Sequence, residues 1–210
     1  MNNIPQIAII YEEGHHQLKE VATAFVEDVT CRELDIRAES RPGIGVMACV
    51  EWYIPTALFL FFGKAYFDGF LKEMGKDHYG IAKKGISKLW SKLFSRDKVI
   101  ELTLVGTPGK LTENYKYSLA FSIIGELNEN KTIKFLFEES ISEIEFSERI
   151  DLVMNFLNAI HTNPENIKEY FVLNDHAISS GSIVLVGYDP KCKKLINLDP
   201  REKHKPNLSL

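Results

Sequence analysis

At 210 residues and 24.0 kDa, with 45% hydrophobic and 26% charged residues, the chain can bury a core as one domain or two small ones, which excludes global disorder and fibrous classes. Its net charge is −4, and Cys31, Cys49 and Cys192 are widely spaced, with neither a CxxC nor a paired metal-ligand spacing. They read as reduced thiols in a cytosol-like compartment.

No charged leader followed by an apolar stretch and a small-residue cleavage site opens the sequence, so secretion is not expected. The β-rich run Ile7 to Tyr11 predicts a strand ended at Gly14. Leu18, Val21, Ala22, Phe25 and Val26 recur at helical spacing through His15 to Asp28, and Leu34, Ile36 and Ala38 then alternate with charged neighbours. This is a strand, helix, strand order. The connecting Glu12-Glu13-Gly14 offers no glycine-rich cradle, and its paired acids would repel a phosphate. His15 and His16 point about 100 degrees apart on a helix and read as surface residues rather than joint ligands.

Arg41-Pro42-Gly43 turns into the most apolar part of the chain. Between Arg41 and Lys64 the only charged residue is Glu51, while Trp52, Tyr53 and Leu58 to Phe62 supply bulk that must be covered. A protein core, a bilayer or a second subunit can cover it, and Glu51 and Pro55 oppose a membrane span. Pro55 fits the first turn of a helix.

The pattern then becomes amphipathic, with Tyr66, Phe67, Phe70, Leu71 and Met74 on one face of a helix. Glu73 and Asp77, four residues apart, would fall among these aromatics with His78 alongside if the helix continued. The expected course is a turn or fraying at Gly75 and Gly80 that leaves the acids wet. The alternative is an acid pair beside an imidazole, able to hold a proton or a metal. A second run places Ala82, Ile86, Leu89, Trp90 and Leu93 opposite Lys84, Lys88 and Lys92. Lys64 to Lys98 holds nine basic and four acidic residues, a balance that suits anionic surfaces as well as plain solvent.

From Lys98 the period changes to that of strands: Val99 to Val105, Tyr115 to Ile124 and Thr132 to Phe137, joined by short connectors that favour antiparallel neighbours. Ile144, Phe146, Ile150, Val153, Met154, Leu157 and Ile160 trace a covering helix from about Ser142 to before Pro164. Glu126 to Asp151 carries eight acids against three bases, a patch able to dock on the basic region of this chain or a second copy. Ile167 to Leu173 reads as helix or strand, and two strands follow, at Ser182 to Tyr188 and Lys194 to Leu198. Asp175, His176, Ser179 and Ser180 lack the strand-to-helix elbow of a nucleophilic serine and read as loop polarity.

The expected fold is α+β: an N-terminal strand-helix-strand and long helical region over 1–97, an antiparallel sheet covered by a helix over 98–200, and a flexible tail over 201–210. No resemblance to a characterised family emerges, and no cofactor is predicted. The leading expectation is a non-catalytic cytoplasmic assembly or regulatory protein acting through self-association or a protein partner. One alternative is an anionic membrane surface bound through the 42–63 segment and the basic helix; Trp52, Phe59, Phe62, Lys84, Lys88 and Lys92 are the interface or membrane candidates. The other is a metal-dependent or acid–base enzyme with Glu73, Asp77 and His78 as its site. The tail has basic residues but no interleaved aromatics, so nucleic acid is not expected.

Overall fold

A β-rich run buried along its length needs a neighbour on each edge, and β1 (Ile7–Glu12) has both. The computed structural model describes residues 5–30, 34–42, 56–68, 75–95, 98, 100, 116–128, 131–138, 140–174 and 182–199. In chain order the further elements are α1 (His16–Val29), β2 (Ile36–Arg41), β3 (Leu58–Phe62), α2 (Lys64–Asp68) and α3 (Gly75–Phe94). They are followed by β4 (Tyr117–Asn128), β5 (Lys131–Glu138), α4 (Glu143–Thr162), a 3-10 turn Pro164–Asn166 and α5 (Ile167–Tyr170). Strands β6 (Phe171–Val172), β7 (Ile183–Asp189) and β8 (Lys194–Asn197) come last. The segment read as helix or strand is both, since α5 runs directly into β6.

The eight described strands form one sheet in the order β2-β1-β3-β4-β5-β7-β8-β6. The fold is mixed α+β, with the expected strand-helix-strand at its start and helices flanking the sheet. The sheet itself is mixed rather than antiparallel, because β1–β2, β3–β4, β5–β7 and β6–β8 pair parallel. Each parallel pair is joined by a crossover carrying helix or other structure, whereas the short β4–β5 and β7–β8 connections return antiparallel, as expected. The strand beside β4 is β3, so sheet pairing runs directly between the two halves read from the sequence.

Register assigns the faces. Ile7 lies opposite Phe62, Ile9 opposite Leu60, Leu60 beside Ile123, Ile123 opposite Phe135 and Phe135 beside Val186. Directly paired residues share a face, and every one of these is at most 1% exposed. The three long helices close over this face and share its core. Leu18, Val21, Ala22, Phe25 and Val29 come from α1, Ile86, Leu89 and Leu93 from α3, and Phe146, Ile150, Val153, Phe156 and Leu157 from α4. Phe146 reaches the rings of Phe121 and Phe137, and Phe156 meets Phe135 edge-on at 6.0 Å. Gly125 is needed where Leu157 approaches, since a Cβ there would lie 2.3 Å from a Leu157 methyl.

Two local expectations are corrected. Pro55 does not lead into a helix: the residues that follow it, Leu58 to Phe62, form the central strand β3. Gly80 does not break the chain either, because it sits inside α3. The helix persists because its apolar stripe, Ala82, Ile86, Leu89 and Leu93, is buried against the sheet and its neighbours. The α4 start agrees with its reading, with Ser142 and Glu145 forming a reciprocal capping box.

Candidate interaction surface

The acid pair and imidazole anticipated around α3 fall only partly within the described residues. Glu73 lies outside them, and Asp77 contributes backbone to the first turns of α3 with its side chain outside them. His78 is half-buried in the same stretch. Among the described residues no group of three or more His, Cys, Asp or Glu side chains is arranged to hold a metal ion. The strands read at 99–105, the Asp175, His176, Ser179 and Ser180 loop and the tail at 201–210 also lie outside the described residues, save Ile100, which is buried.

The imidazole stacked on Phe67 is that of His161 on α4, with ring centroids 5.2 Å apart. Its Nε2 is 2.8 Å from the Glu126 carbonyl oxygen, and burial lowers its pKa, a shift opposed by that hydrogen bond. The signal for it was present: His161 continues the buried stripe Phe146, Ile150, Val153 and Leu157 by one further turn.

Of the candidates for interface or membrane contact, Trp52 lies outside the described residues. Phe62 is 0% exposed and packs on Tyr66 and Phe67, which places it in the core. Phe59 points to the other face, half-buried, with the Arg41 guanidinium 5.1 Å above its ring. Lys84 and Lys88 are exposed and Lys92 is half-buried. Lys88 pairs with Asp28 of α1, and Lys83 meets Asp151 of α4 at 2.6 Å beside the Tyr79 hydroxyl, which donates to the same carboxylate. Basic and acidic regions therefore do meet inside the chain. No helix among the described residues is long and apolar enough to cross a membrane.

The sheet face away from the helices carries its own polar cluster. Arg41 donates through Nη2 to the Thr56 carbonyl at 2.6 Å, and the Thr56 and Ser122 hydroxyls share a buried hydrogen bond of 2.5 Å. Lys134 is 6% exposed on this face, and burial, helped by the charge of Arg41, lowers its pKa to about 8. A further polar cluster joins the sheet to α4, where Arg149 pairs with Glu138 at 3.0 Å and lies over the Tyr188 ring.

The surface left open is the edge strand β2. Among the described residues it hydrogen-bonds within the sheet only to β1, and Arg37, Ala38, Glu39 and Ser40 are exposed. Ile7 N–H donates to the Asp35 carbonyl at 3.2 Å and Glu13 N–H to the Arg41 carbonyl at 2.8 Å. In a strand the amide and carbonyl of one residue point the same way, and the direction alternates along the chain. Asp35, Arg37, Glu39 and Arg41 thus turn their backbone groups to β1, and Ile36, Ala38 and Ser40 turn theirs to the open side. The odd-numbered side chains lie on the face away from the helices, as the pairing of Arg37 with Ala8 and of Ala8 with Phe61 requires. There Arg37 makes a two-pronged contact to Asp35, Nε to Oδ1 at 2.9 Å and Nη2 to Oδ2 at 2.5 Å. The alternation around Ile36 had announced this strand, but not that it would stand at the edge.

No family model matches the chain, and neither the curated proteins nor the solved structures contain a significant match to it. Fold and surface alone define its class: a mixed α+β protein with helices layered on one face of an eight-stranded sheet and an exposed, charged edge.

Proposed function

We propose that this chain is a non-catalytic assembly or regulatory protein that acts through self-association, with the β2 edge as its contact surface. The observation that carries the reading is a six-residue strand with four exposed residues, whose outward amides and carbonyls face no other described strand. Open edges of this kind recruit another chain by strand addition unless charge or shape prevents it. The apolar 42–63 segment, first considered for this role, gives its last residues to the core as β3. Self-association through β2 uses polar backbone and charge.

Sedimentation velocity over a dilution series tests the reading. The expected result is a mass that rises with concentration from the 24.0 kDa of one chain toward twice that value. A single-chain mass at every concentration contradicts it.

A further inference from the structure

We infer that two copies pair through β2 in one register, antiparallel about a twofold axis at Ala38, an inference that rests on the self-association reading above. Twofold contacts are isologous, so an edge strand pairing with itself must be complementary to its own reversed sequence. Asp35-Ile36-Arg37-Ala38-Glu39-Ser40-Arg41 has that property. Centred on Ala38, Asp35 faces Arg41 of the second copy and Arg37 faces Glu39, and each contact occurs again across the axis.

Backbone geometry admits the even-numbered centres Ile36, Ala38 and Ser40, and charge decides among them, since an axis at Ile36 or Ser40 sets only two of the four charges of a strand against opposite ones. Only the even-numbered residues direct N–H and C=O outward, so hydrogen-bonded pairs must join even to even, which about Ala38 means Ile36 with Ser40 of the second copy, and Ala38 with Ala38. The odd-numbered residues then form the non-hydrogen-bonded pairs, in which antiparallel side chains approach most closely. Those are the charged ones. An axis at Arg37 or Glu39 would set a like charge against itself, and an axis between two residues would oppose an outward amide to an inward one. In the Ala38 register the four charges of each strand interleave with the four of the other, and the Asp35–Arg37 pair present in one chain is extended rather than broken. Arg41 is the least free of the four, since it also holds the Thr56 carbonyl. The exposure of Arg37 to Ser40 leaves the strand accessible to the second copy.

The experiment uses the full chain and three variants, Ala38→Pro, Glu39→Arg and Arg37→Glu, with sedimentation as readout and circular dichroism as a check of folding. Proline at position 38 removes an amide that points away from β1, so it leaves the internal ladder intact while deleting the central pair. Glu39→Arg sets arginines opposite arginines, and Arg37→Glu sets glutamates opposite glutamates. Each charge variant alone is expected to dimerise about tenfold or more weakly than the wild type. Mixed in equal amounts, Glu39→Arg and Arg37→Glu regain opposite charges at both positions, and a heterodimer is expected. Wild type that stays monomeric ends both this inference and the functional reading. Wild type that associates, with variants that associate equally well or with charge variants that fail to complement each other, overturns the register alone.

Discussion

β2 and β3 flank the same strand, β1, and differ in almost everything else. β3, Leu58 to Phe62, is wholly apolar, antiparallel to β1 and paired on both edges, with Leu58, Leu60 and Phe62 0% exposed. β2, Ile36 to Arg41, is parallel to β1, paired on one edge and largely exposed. The difference teaches that composition tracks how many sides of a strand are covered. β3, paired on both edges and under helices, has no polar alternation. One at the rim keeps charges that hold it in solution and, in this chain, charges that match its own reverse.

The comparison breaks first, if it breaks, at the interior strand. Phe62→Ala is expected to cost about 3–5 kcal/mol of unfolding free energy in urea titration, through lost burial and the cavity left beneath Tyr66 and Phe67. Glu39→Ala on the rim is expected to change the same quantity by under about 0.5 kcal/mol. A loss below about 1 kcal/mol for Phe62→Ala would mean that β3 is not the centre of the core. Next in size, Gly125→Val, one strand further in and opposite Phe62, forces a side chain into Leu157. The expected penalty is about 1–3 kcal/mol, with α4 displaced and the Phe156–Phe135 contact perturbed in near-ultraviolet circular dichroism.

Lys134 sharpens the contrast between the two faces, because it is a charge buried in an interior strand where β2 keeps its charges wet. Its folded pKa of about 8 lies below the ordinary lysine value, so between these values the unfolded chain binds more protons than the folded one. Stability therefore rises as pH increases from about 8. Tyr79 and Tyr117, whose pKa values burial raises, work in the opposite sense above the ordinary tyrosine range. Between about pH 8 and 9.5 the wild type is expected to gain roughly 1–2 kcal/mol relative to Lys134→Met. Parallel pH profiles for the two proteins would refute the burial of its charge. At the α4 cap Ser142→Ala removes the acceptor of the Glu145 amide, at an expected cost of about 1 kcal/mol read by thermal unfolding.

How much of this was legible depends on the kind of signal. Periodicity located α1 and α4, the two C-terminal strands and the hairpin β4–β5, because half-buried elements advertise their period. β3 was hidden for the opposite reason: Leu58 to Phe62 is a continuous apolar run, and such a run has no period to read. Gly80 misled because glycine is only a local preference, overridden by the packing of Ile86 and Leu89. The parallel pairs β3–β4, β5–β7 and β6–β8 escaped because a long stretch of chain separates the two strands of each. His161 stands one residue beyond Ile160, the last apolar position read on the α4 stripe, and an imidazole adds no apolar signal to such a pattern. The reversed-charge pattern of Asp35 to Arg41 stood in the sequence throughout, but it acquires meaning only when β2 is known to be an edge and its even-numbered amides are known to face outward.

The most direct test of the central claim is amide hydrogen exchange along β2, resolved by residue and followed with protein concentration. The odd-numbered amides, directed to β1, are expected to be protected at all concentrations. Those of Ile36, Ala38 and Ser40 are expected to exchange freely in dilute protein and to become protected together as the concentration rises. Outward amides that exchange rapidly at every concentration, or a mass that increases without their protection, would contradict association through this edge.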